Sequence, residues 1–158
     1  MASSRKVTLA DASAIIAALD EGDHNHARCA ELLRTIRGGD LLTSCAAFAE
    51  AMYLLGSRRG WPGRRSLWDL LERGVLRVAP EPRDWTRLAE LMGKYRDTPM
   101  ALADAQLIAL AEDLHGPHAA TVNFAAWVRN RLWRAVDAGW RQSGPCEGLP
   151  PYGSLSSA

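Results

Sequence analysis

Asp11, Glu50 and Asp104 are carboxylates set among apolar residues, in "VTLADASAII", "CAAFAEAMYLL" and "PMALADAQLIALAEDL". A charge in such surroundings is costly unless something compensates it. Asp11 falls at or just past the end of a short apolar run that reads as a strand, and the carboxyl edge of an open parallel sheet is where ligands bind. Helical spacing gives Glu50 the neighbours Ala46, Ala47, Tyr53 and Leu54, and gives Asp104 the neighbours Met100, Ala101, Leu107 and Ile108. Both acids therefore lie on or beside an apolar stripe. Each also has a plain alternative. Asp11 can cap the following helix with help from Ser13, Glu50 can reach solvent or an arginine, and Asp104 can bond to a neighbouring helix from what reads as a mid-helix position. Carboxylates clustered without a fixed cation repel and raise one another's pKa. Mg²⁺ or Mn²⁺, which prefer oxygen ligands and keep several waters, would remove that problem and suit phosphate chemistry. No histidine or lysine adjoins any of the three, so they do not resemble a Ser-His-Asp arrangement.

The elements that must position these groups follow from the hydrophobic pattern. Val7 to Ala10 is apolar without clean alternation, as in a central parallel strand covered on both faces. "SAIIAALD" and "HNHARCAELLRTIR" read as helices, "LLT" as a short strand, and "AAFAEAMYLLGSR" as a helix capped by Thr43 or Ser44. "WPGRRSLWDLLERG" is a further helix, "VLRVA" a third strand and "RDWTRLAELMGKY" another helix. The last clear helix is "DTPMALADAQLIALAEDLHG", with Thr98 as its cap and Pro99 in its first turn, and "HAATV" is a fourth strand. Alternating strands and helices make the chain α/β with a mostly parallel sheet. The stretch from about residue 143, rich in Gly, Pro and Ser, reads as a disordered tail.

The bulk numbers fit one domain. A chain of 158 residues can bury a sizeable core, and 47% hydrophobic with 23% charged residues is an ordinary globular balance. A net charge of +1 gives no global basic field. Local charge is less even, with Arg58, Arg59, Arg64 and Arg65 inside "SRRGWPGRR" as candidate RNA contacts or a solvated turn. Three widely spaced cysteines show no metal pattern and suit a reducing, cytoplasmic setting. His24 and His26 read as a polar helix start, because an i, i+2 pair does not face one way on a helix. The six tryptophans read mostly as core or interface residues. No run reaches the roughly 20 apolar residues needed to span a membrane.

At "VTLADASAIIAALD", "LLTSCAAFAEAMYLL", "KYRDTPMALADAQLIALAEDL" and "AATVNFAAWVRN" the sequence resembles a PIN domain, and within that group the VapC-like ribonuclease toxins. The resemblance spans residues 5–131, leaving 132–158 as a C-terminal extension. It implies a Rossmann-like α/β/α sandwich whose carboxylates bind Mg²⁺ or Mn²⁺ and which hydrolyses RNA by in-line attack of an activated water. Asp11, Glu50 and Asp104 match the family's first three acids, and Ser13 matches a small hydroxyl residue that lines the site, beside Thr121 and Asn123. The resemblance also implies an RNA substrate, a homodimer and an antitoxin protein that silences the enzyme.

Three positions depart from the family pattern. Asn123 and Ala126 stand where aspartates are usual near the fourth strand, and Ala101 replaces an acid common in the PMDLADA form. Loss of these carboxylates weakens divalent binding. Two functions therefore stand at this point: a metal-dependent endoribonuclease working with three acids, or a catalytically degenerate PIN-like module that binds RNA or protein.

Overall fold

The computed structural model describes residues 7–36, 38, 40–82, 84–97, 100–115, 132–136 and 139–142. Its sheet begins with β1 (Val7–Ala10), β2 (Leu41–Thr43) and β3 (Leu76–Val78). These run parallel, with Thr8 opposite Leu41 and Leu42 opposite Arg77. Two further strands, β4 (Leu132–Val136) and β5 (Gly139–Gln142), run antiparallel on the other side of β1, giving the order β3-β2-β1-β4-β5. The strand expected at "HAATV" lies outside the described residues.

The helices α1 (Ala12–Leu19), α2 (His26–Thr35) and α3 (Cys45–Glu72) form one layer, and α4 (Trp85–Lys94) and α5 (Leu102–His115) form the other. Strand alternation explains the division. On β1, Leu9 joins the core against α4 and α5, while Ala10 joins the core against α1, α2 and α3. On β2, Leu42 and Leu41 divide the same way. Burial on both faces is why these short strands lack a polar-apolar rhythm. The result is the expected α/β/α sandwich.

α3 is two helical arms folded back on each other. Phe48 and Trp68 meet edge to face with ring centroids 5.6 Å apart, although twenty residues of straight helix would span about 30 Å. The reversal is at Gly60, whose φ of 63° and ψ of −148° are costly for any residue with a Cβ, and Pro62 follows it. Gly63 then lets the arms touch, since a Cβ there would sit 2.6 Å from the Leu55 carbonyl oxygen. Leu55 and Leu67, one from each arm, are fully buried in the same core. The sequence divides this region into two helices at the same place.

On the opposite layer, Arg87 of α4 grips Glu112 of α5 through two bonds of 3.0 and 2.8 Å and also reaches Glu90. The hydrogen bonds to Glu112, then those to Glu90, push the Arg87 pKa up. His26 is likewise structural, with its Nδ1 2.9 Å from the Ala17 carbonyl at the end of α1.

Two expectations change. α5 starts at Leu102, later than the Thr98-Pro99 signal suggests, so Asp104 lies in its first turn; Thr98 and Pro99 are outside the described residues. The tryptophans with described side chains are not core: Trp61, Trp68 and Trp85 sit on outward faces, 64%, 40% and 56% exposed. Leucine, isoleucine and alanine fill the two thin core layers instead.

The contact between the arms of α3 gives a paired test. Gly63→Ala is expected to lose about 1–3 kcal/mol in chemical denaturation, because the added methyl meets backbone that cannot move aside. Gly93→Ala, where a Cβ meets nothing within 4 Å, should be neutral or stabilising by up to about 1 kcal/mol.

Candidate active site at the carboxyl edge of the sheet

The chain leaves β1 at Ala10, and Asp11 immediately caps α1. One carboxylate oxygen of Asp11 accepts the Ala14 N–H at 2.9 Å, and the Ser13 hydroxyl approaches both oxygens at 3.1 and 3.0 Å. Asp11 is only 3% exposed. The sequence's structural alternative for Asp11, a cap assisted by Ser13, is thus realised in the fold. A cap does not need a carboxylate, however, since serine or asparagine serves as well, and burying the charge is a separate cost.

The adjacent strand ends at the same edge. Thr43, fully buried, donates its hydroxyl to the Ala10 carbonyl at 2.7 Å and joins the ends of β1 and β2. Ser44 then caps α3 by accepting the Ala47 N–H at 3.1 Å. Glu50 follows in the second turn of α3 and is half-buried. Between Ser44 and Glu50, the Ala46 N–H donates to Oε1 of Gln106 on α5 at 3.1 Å. That bond brings the start of α3 against the N-terminal half of α5. Asp104, also 3% exposed, lies two residues before Gln106, in the first turn of α5, and accepts the Ala101 N–H at 3.0 Å. Its place near a helix N-terminus favours negative charge, which removes the penalty a mid-helix aspartate would carry.

All three acids therefore belong to segments that start at, or are tied to, the carboxyl edge of the parallel strands. None of the three is without a partner. Among the described residues, no three His, Cys, Asp or Glu side chains lie close enough together to hold a metal ion by themselves. The donor chemistry of Asp11, Glu50 and Asp104, oxygen only, suits a hard cation that takes one or two carboxylates and keeps its waters. Thr121, Asn123 and Ala126 lie outside the described residues. Ala101 is described; it supplies no acid, and its backbone N–H is what Asp104 accepts.

Arg58, Arg59, Arg64 and Arg65 lie around the bend of α3. Arg58 is 3.6 Å from both Asp20 and Asp23, Arg59 is 3.6 Å from Asp20, and Arg65 is 2.7 Å from Asp69 and also pairs with Glu72. The hydrogen bonds that Arg65 donates to Glu72 and Asp69 raise its pKa. Among the described residues, Arg64 alone of the four has no carboxylate partner; it lies beside Phe48, Tyr53 and Trp68.

Gln106 is a residue that sequence reasoning missed. A glutamine on an alanine-rich helix gives no signal of its own, and its bond to Ala46 spans sixty residues of chain.

A PIN domain family model matches residues 8–124, most of the chain. The chain belongs to the PIN domain family. Among solved structures this PIN domain is similar to the crystal structure of Mycobacterium tuberculosis VapC20, described as a sarcin–ricin loop cleaving toxin. The TM-score is 0.60 at 21% identity, over 66% of this chain and 81% of that one. No curated protein matched the sequence. At that identity the structural likeness concerns the fold.

The dual place of Asp11 separates stability from chemistry. Asp11→Asn keeps an oxygen for the Ala14 N–H and should change stability by less than about 0.5 kcal/mol, whereas Asp11→Ala should cost about 1 kcal/mol or more in urea denaturation.

Proposed function

We propose that this PIN-domain protein is a metal-dependent endoribonuclease and the toxin of a type II toxin–antitoxin pair. The observation that carries the reading is the burial of two acids, Asp11 and Asp104, each 3% exposed, at the carboxyl edge of a parallel sheet. Family membership and the likeness to a ribonuclease toxin support it. In this reading Asp11, Glu50 and Asp104 are the catalytic acids and bind Mg²⁺ or Mn²⁺ through one or two carboxylates at a time, with water completing the coordination. Ser13 holds the Asp11 carboxylate in place through its hydroxyl, and Thr121 and Asn123 line the site. The bound cation supplies charge stabilisation at the scissile phosphate and a more acidic water. Gln106 keeps α5 against the start of α3, and so fixes the spacing between the Asp104 and Glu50 segments. Arg58, Arg59, Arg64 and Arg65 belong to the proposal as phosphate contacts. The ion pairs that Arg58, Arg59 and Arg65 make have partly exposed arginine ends, and a phosphate chain can compete for them. An antitoxin protein, a homodimer and a cytoplasmic setting complete the reading.

A second reading rests on Asn123 and Ala126, which put neutral side chains where PIN nucleases of this kind usually carry aspartates. In it the fold binds RNA or a protein partner without cutting.

RNA cleavage by the purified protein, with Mg²⁺, with Mn²⁺ and with EDTA, separates the two. The ribonuclease reading expects divalent-dependent cleavage that Asp11→Asn reduces at least about 100-fold, equivalent to about 2.7 kcal/mol of barrier, in a protein that remains folded. Equal inactivity of wild type and variant towards RNA would leave the binding module.

A further inference from the structure

Beside the carboxylate edge lies a pocket of about 410 Å³, open to solvent, between the segment following β3 and the face of α5. Its size is within the roughly 300–1,000 Å³ usual for small-ligand sites. Two buried polar side chains line it. Ser44 is 4% exposed and Gln106 is 7% exposed. Their hydrogen bonds leave a defined remainder. The backbone N–H of Ala46 must meet an acceptor, so the Gln106 atom facing it is Oε1, and the amide NH₂ is the other end. That NH₂ has no partner among the described residues. The Ser44 oxygen accepts the Ala47 N–H, and its hydroxyl proton likewise has no acceptor among them. Buried donors left unpaired are costly and uncommon.

The rest of the lining restricts what can pair with them. Ala79 and Leu110 give apolar walls, and the exposed carboxylates of Glu81 and Asp113 form a rim that, among the described residues, includes no cationic side chain. The two carboxylates repel a phosphate. A flat group is favoured that offers an acceptor to the buried donors and adjacent N–H groups to a carboxylate. Guanine has both on one edge, with O6 as acceptor and N1–H and the 2-amino group as donors. Adenine and cytosine place a ring-nitrogen acceptor where the carboxylate needs a donor, and uracil offers a single N–H.

We infer that this pocket binds a guanine base of the RNA next to the cleaved phosphate and gives the enzyme its base preference. The inference rests on the ribonuclease reading for its place in the reaction. Connectivity supports the placement: Ser44 directly follows Thr43, which is bonded to Ala10 just before Asp11, and Gln106 is bonded to Ala46 at the same start of α3.

Amide NMR of the full-length protein titrated with guanosine, adenosine, cytidine and uridine tests it. Guanosine should shift the Gln106 side-chain and Ser44 backbone signals, and bind at least about tenfold more tightly than the other three, a gap of about 1.4 kcal/mol. Gln106→Glu keeps an oxygen for Ala46 but removes the donor, and should abolish the preference. The double variant Glu81→Gln with Asp113→Asn alters exposed positions that the fold does not need, and should weaken guanosine about tenfold. Absence of a guanosine shift at Gln106 and Ser44, or equal binding of all four nucleosides, overturns the proposal. So does undiminished guanosine binding by the double variant. Asp11→Asn should bind guanosine as the wild type does. RNA cleavage without guanosine binding therefore defeats the pocket alone, and guanosine binding without cleavage supports the pocket while defeating the ribonuclease reading.

Discussion

The hydrogen bond from the Thr43 hydroxyl to the Ala10 carbonyl, 2.7 Å long and closed to solvent, is the joint on which the carboxyl edge depends. It fixes where β1 and β2 stop relative to each other. Asp11 is the next residue after one partner and Ser44 the next after the other, so the two helix starts they cap inherit that position. The Gln106–Ala46 bond then places α5 against α3. Two side-chain hydrogen bonds thus bring together three segments that lie far apart in the chain. The Thr43–Ala10 bond lies in the dry interior, where it is electrostatically stronger than in water and costly to leave unmade.

The same edge concentrates acid rather than base. Asp11, Glu50 and Asp104 lie at or near it, and Glu81 and Asp113 ring the neighbouring pocket. The described arginines of the α3 bend are largely occupied by Asp20, Asp23, Asp69 and Glu72. With a net charge of +1 there is no strong field to draw RNA in. Divalent cations at the acids are therefore needed for charge as well as chemistry in the ribonuclease reading. The pocket contributes recognition through hydrogen bonds and shape, which tolerate its negative rim because a nucleobase is neutral.

The reversal in α3 has a consequence for the outer surface. Folding one arm onto the other buries Leu55 and Leu67 but turns Tyr53, Trp61 and Trp68 outward, at 69%, 64% and 40% exposed. Large aromatic residues were legible in the sequence as apolar, and the expectation that they sit in the core or an interface follows from that. Their actual side depends on the angle at Gly60, which periodicity within either arm does not encode.

The sequence by itself determined the α/β class, the two-sided burial of β1 and the three out-of-place acids. These depend on local pattern: an apolar run, a helical period and a charge that violates it. It also marked the break between the arms of α3, because Gly60 and Pro62 punctuate the pattern directly. The tertiary structure decided the rest. It moved Asp104 from mid-helix to a first turn, gave Gln106 its role and engaged three of the four arginines with acids. It also added β4 and β5 antiparallel beside β1. Each of these depends on contacts between residues distant along the chain, and no local spacing carries that information.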